Sequence, residues 1–190
     1  MSSTHSTHYS THYSTHLQVH AHVHPLNSTL LRTTLFRRIE IQLLMNLTAR
    51  ALRQPTRHLW TLAPDEALQL YAEYTSTQLQ DGVSPSVLDS MNREAYRMGR
   101  LLRRLLLLRQ SDIKQFVVAL YRNIGIRLDG HLPSQLCFHS CYFSHFYTPE
   151  VCLAASALDD GIMRGLLGTG RLTFQQRITE GCSHCLATYQ

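Results

Sequence analysis

A chain of 190 residues is long enough for one domain with a proper core and too short for two comfortable ones. Its net charge of +5 rests almost wholly on arginine, since Lys114 is the sole lysine. Those arginines are scattered from Arg32 to Arg177 with no nucleic-acid motif beside them, which argues against a nucleic-acid partner. No apolar run, Leu105–Leu108 included, comes near the roughly 20 residues a membrane span needs, so no span is expected.

Residues 1–31 contain no charged side chain and hold His5, His8, His12, His16, His20, His22 and His24. The unit Ser-Thr-His recurs four times there. Such polar, low-complexity sequence cannot bury enough surface to offset its ordering entropy, which predicts a disordered tail over 1–30 and a single domain over 31–190. The opening "MSSTHSTHYSTH" lacks the basic region and apolar stretch of a secretory signal. The five cysteines, all beyond residue 136, are therefore expected as thiols or ligands in a reducing cytoplasm.

The domain should begin with a helix over 35–53, "LFRRIEIQLLMNLTARALR", ended by Gln54-Pro55. A second helix starts at Pro64, where proline suits the first turn, and Asp65 and Glu66 complement the helix dipole. Its apolar positions are Ala67, Leu70, Tyr71 and Tyr74. The third helix is expected to be capped by Ser84, with Pro85 first and a stripe of Leu88, Met91, Ala95, Met98, Leu102 and Leu105. Gly99 lies inside that pattern, where it suggests a close helix contact. A fourth helix runs from Asp112, capped by Ser111, with Ile113, Phe116, Val117, Leu120, Tyr121 and Ile124 inward, and frays at Gly125.

After "LDGHLP" the pattern changes, and "SQLCFHSCYFSHFY" has the aromatic and thiol content of a strand. Thr148-Pro149-Glu150 reads as cap, first-turn proline and dipole-matched acid of a fifth helix over 149–167, with Val151, Cys152, Ala155, Leu158, Ile162 and Leu166 inward. Gly161 and Gly165 stand one turn apart, as close packing on a neighbour requires. "RLTFQQRIT" alternates as a strand, Glu180-Gly181 turns, and "CSHCLATY" returns. The predicted fold is α+β: a helical N-terminal half, then strand–helix–hairpin with a small antiparallel sheet.

The chemistry lies in "CFHSCYFSHFYTPEVC" and "GCSHC". A metal site would draw on Cys141, Cys152, Cys182 and Cys185, holding zinc or an iron–sulfur cluster. On a regular strand Cys137, His139 and Cys141 share one face, and Cys137 and Cys141 stand about 13 Å apart. Both reach one ion only if a bulge or turn intervenes. The alternatives are a core of reduced thiols, or an enzyme whose nucleophile is Cys141 with His139 or His145, or Cys182 or Cys185 with His184. Asp159 and Asp160 could supply a carboxylate to such a site, or form the polar side of the fifth helix.

The segments "AYRMGRLLRRLL", "DIKQFVVALYRNIGIRL", "ALDDGIMRGLLG" and "ITEGCSHCLATY", spread over about residues 65–189, resemble the 4-vinyl-reductase domain, whose fold is shared by subunits of the TRAPP tethering complexes. The resemblance implies a small-molecule-binding sensor or accessory domain, often a homodimer, in which some members bind zinc through cysteines. Cys185 takes the place of that family's terminal cysteine, while Gln175, Gln176 and Arg177 stand where a Glu-x-x-Cys is common. The tail is also similar to 2-aminothiazoline-4-carboxylate hydrolase-like proteins, which would imply an enzyme. Leu186 stands where those proteins usually carry an acid. The expected pocket lies between the sheet and the third to fifth helices, near the four cysteines.

Overall fold

The computed structural model describes residues 33–131 and 134–190. The predicted disordered tail lies outside the described residues. The fold is α+β, and the described residues form five helices followed, and partly interrupted, by a four-stranded antiparallel sheet. Helices α1 (Thr34–Ala51), α2 (Pro64–Leu79), α3 (Pro85–Leu105) and α4 (Gln110–Asn123) come first. Strands β1 (Ile126–His131) and β2 (Gln135–Cys141) form a hairpin that runs into a 3₁₀ turn, Tyr142–His145. Helix α5 (Pro149–Leu167) crosses over to a second hairpin, β3 (Leu172–Gln176) and β4 (Cys185–Tyr189). The order in the sheet is β1-β2-β4-β3.

The architecture is therefore hairpin–helix–hairpin where strand–helix–hairpin was expected. Strand β1 was hidden because it offers only four alternating residues: Ile126 and Leu128 are buried, and Arg127 and Asp129 are exposed. Glycine at position 130 then breaks the pattern. The strand expected over 134–147 stops at Cys141, where the backbone turns into the 3₁₀ segment.

Helix starts follow local chemistry with two corrections. Thr33 Oγ1 accepts the Phe36 N–H at 3.2 Å, and Thr148 Oγ1 accepts the Val151 N–H at 3.3 Å. These satisfy donors that a helix start leaves unpaired. Ser84 holds the N-cap position of α3, but its hydroxyl bonds Ser86 at 2.8 Å instead of the helix backbone. Helix α4 begins before the expected Ser111: Arg109 is the N-cap, and its N–H donates to Asp112 Oδ2 at 3.1 Å.

Helices α3 and α5 form the most extensive pairing in the domain. A Cβ on Gly99 would lie 2.5 Å from the Ile162 carbonyl, and one on Gly161 would meet the Asn92 carbonyl and the Ala95 Cβ. Backbone meets backbone here, as the three glycines suggested. Asp160, expected as a possible catalytic acid or on a polar helix face, is buried. It accepts from Asn92 Nδ2 at 2.7 Å and from the Leu172 N–H at 2.7 Å, tying α3, α5 and β3 together. One buried cluster runs from Ile41 to Tyr189, and the whole expected stripe of α4 lies in it. The α3 stripe holds through Met98 but runs out at Leu105, which is 70 % exposed.

Candidate functional site

A β-bulge decides which cysteine reaches the interior. Arg127 pairs with Ser140, but Leu128 pairs with Phe138, leaving His139 as an extra residue on β2. Such an insertion switches the alternation of a strand. Leu136 and Phe138 point into the core, and after the bulge so does Cys141, opposite the buried Ile126. Cys137 is left on the other face, with its Sγ 3.8 Å from His139 Nδ1. His139 Nε2 in turn lies 3.1 Å from the exposed Asp129 carboxylate.

Cys141 lines a cavity of about 90 Å³. That is several times the roughly 10–15 Å³ one water needs. The wall is built by all five helices, β1, β2 and the 3₁₀ turn, so α1 and α2 contribute beside the expected α3–α5. Most of it is apolar, with Leu44, Met98, Leu120, Leu158 and Ile162 among the contributors. The polar exceptions are Glu40, Asp159, the phenols of Tyr71, Tyr121 and Tyr147, and the thiols of Cys141 and Cys152.

Burial governs the ionisation of these groups. Glu40 is 4 % exposed, and burial pushes its carboxyl well above the usual range, opposed by an Asn123 hydrogen bond and the Arg37 charge. Its Oε2 accepts from Asn123 Nδ2 at 3.0 Å, whereas Oε1 has no hydrogen-bond partner among the described residues. Asp159 accepts the Tyr121 hydroxyl at 2.8 Å. Burial raises its carboxyl from 3.8 to about 6, against the opposing Tyr121 hydrogen bond and Arg177 charge. Asp159 is thus not on a polar helix face but at the cavity wall. Burial likewise pushes the Tyr71 phenol and the Cys141 thiol up to about 12 each.

The expected cysteine ligands are only partly brought together. Cys141 and Cys152 share the cavity wall. Cys185 is buried on β4, where its Sγ accepts the Ile178 N–H at 3.2 Å. Cys182 stands in the turn after Gly181, and neither it nor Cys185 lines the cavity. Among the described residues no group of three or more His, Cys, Asp or Glu is arranged to hold a metal ion. Burial raises the thiols of Cys141, Cys152 and Cys185, which keeps them protonated and weakly nucleophilic. His145 is exposed, and His184 meets Gln176 Nε2 at 3.0 Å through its ring.

No model of a known protein family matches the chain, and no curated protein matches it. Among the described residues no helix is long and apolar enough to cross a membrane.

Sequence reasoning passed over Glu40. The signal was an acid at the position between Phe36 and Leu44, in steps of four along the apolar stripe of α1. An acid in an apolar stripe marks either a buried pair or a cavity.

Proposed function

We propose that the chain is a small-molecule-binding domain, acting as a sensor or accessory module, whose site is the cavity between the helices and the first hairpin. The cavity of about 90 Å³ carries this reading: it is mostly apolar, with a few convergent polar groups. The resemblance to 4-vinyl-reductase domains supports the same assignment. The five cysteines, all free thiols, suit a cytoplasmic setting. Homodimer formation fits the exposed Leu101, Leu105 and Leu107 at the end of α3.

The test is ligand-observed NMR with toluene, comparing the natural chain with Ala155→Phe, which places a ring in the cavity. Saturable binding that the substitution removes is expected. Equal signals from both proteins would show that the probe binds elsewhere and would overturn the reading.

A second reading, a thiol-dependent hydrolase, draws on Cys137, His139 and Asp129, where one imidazole bridges a thiol and a carboxylate. Its nucleophile differs from the Cys141, Cys182 or Cys185 expected from sequence. Ester hydrolysis lost in Cys137→Ser would establish it, and unchanged hydrolysis would exclude it.

A further inference from the structure

We propose that the ligand of this cavity is a small apolar amine, whose ammonium group pairs with Glu40 and Asp159 while its hydrocarbon body fills the space beside Leu44, Leu120, Leu158 and Ile162. The inference rests on reading the cavity as a ligand site and names the class of ligand.

Three observations carry it. First, among the described residues two carboxyl groups line the cavity and no Lys, Arg or His does. An empty cavity must keep these acids protonated or hold unbalanced negative charge in an apolar setting, and a bound cation removes that conflict. Second, each neighbouring arginine has an acid partner of its own, although Arg177 Nε is buried without a hydrogen bond among the described residues and its charge also reaches Asp159. Arg37 donates through Nε to the Asn123 carbonyl at 2.6 Å and pairs with Asp65 at 2.7 Å. Arg177 pairs with Glu180 at 3.3 Å and lies over the Phe174 ring at 5.1 Å. Meanwhile Oε1 of Glu40, a buried residue of the cavity wall, has no hydrogen-bond partner among the described residues. Third, the aromatic side chains of Tyr71, Tyr121, Phe143 and Tyr147 contribute to the same wall. Aromatic faces attract cations, and carboxylates joined to aromatic rings in a closed apolar space favour an ammonium over a neutral or anionic group.

The experiment titrates the full chain calorimetrically, at pH 7.5, with two pairs of near-isosteric probes: benzylamine against benzyl alcohol, and n-butylamine against n-butanol. Each amine is expected to bind roughly tenfold or more tightly than its alcohol. In the double variant Glu40→Gln/Asp159→Asn, checked for folding by circular dichroism, that preference is expected to vanish. The comparison on the natural chain decides the matter even if the variant does not fold. An alcohol binding as tightly as its amine would overturn the amine assignment and leave the cavity as a site for neutral ligands. No saturable binding by any of the four would overturn the binding reading as well.

Discussion

The Tyr121 hydroxyl of α4 donates to Asp159 Oδ1 of α5 at 2.8 Å, in the wall of an otherwise mostly apolar cavity. The phenol gives the acid a donor but no countercharge, so desolvation prevails and the carboxyl titrates at about 6 instead of 3.8. The other groups that bear on it are Cys141 at the end of β2, Cys152 and Asp160 on α5, Arg177 after β3, Cys185 on β4, and Tyr71 and Tyr147.

A raised carboxyl makes the fold less stable as pH rises. The folded state holds the Asp159 proton more tightly than the unfolded chain, so the contribution is fully present below the unfolded value of 3.8 and is lost as pH passes through about 6. The loss is on the order of 2 to 3 kcal/mol. Asp159→Asn keeps an oxygen to accept from Tyr121 and removes the charge. Urea denaturation from pH 4 to 8 should show the variant gaining on the natural chain across this window and levelling off above it. A constant difference at every pH would refute the assignment.

Gly161→Ala should destabilise the domain by about 1–3 kcal/mol, because the added methyl has no space between α5 and α3. Its Cβ would lie 2.7 Å from the Ala95 Cβ as well as meeting the Asn92 carbonyl. Thermal unfolding reads the effect. A variant as stable as the natural chain would mean the two helices can separate without cost.

The interior thiols should react slowly. With its thiol pushed up to about 12 by burial, Cys141 carries little thiolate at neutral pH. Pulsed iodoacetamide labelling with peptide mapping should find Cys141 and Cys185 modified at least about tenfold more slowly in the folded than in the urea-unfolded chain. Cys137, on the opposite face of β2 from the cavity, should label before either. Cys141 labelling first would contradict this arrangement.

Self-association can be tested at the end of α3. Leu101, Leu105 and Leu107 are 51 %, 70 % and 83 % exposed, and they are the residues on which the proposed homodimer contact rests. If it joins two copies, Leu105→Arg should shift the sedimenting species from dimer to monomer. A natural chain that sediments as a monomer at micromolar concentration excludes the dimer.

Much of the fold could be read from the chain, and the reason lies in periodicity. The α4 stripe from Ile113 to Ile124 and the α5 start at Thr148-Pro149 are local signals, and both stand as expected. Gly99, Gly161 and Gly165 likewise announced a close approach that α3 and α5 make. What escaped was non-local. The extra residue His139 is visible only once β1 pairs with β2, and β1 itself is too short to declare its alternation. Regular alternation placed Cys137 and Cys141 together, whereas the bulge sends them to opposite faces. That Glu40 joins Asp159 in the cavity wall was further out of reach, because the two are 119 positions apart and nothing local ties them to one wall.

The glycine contact also gives the domain two kinds of seam. Where Gly99, Gly161 and Gly165 meet the opposing backbone, α3 and α5 leave no side chain between them to repack. Helices α1 and α2 reach the cavity instead through side chains such as Leu44 and Tyr71. Added volume therefore costs a backbone shift at the first seam and a change of rotamer at the second.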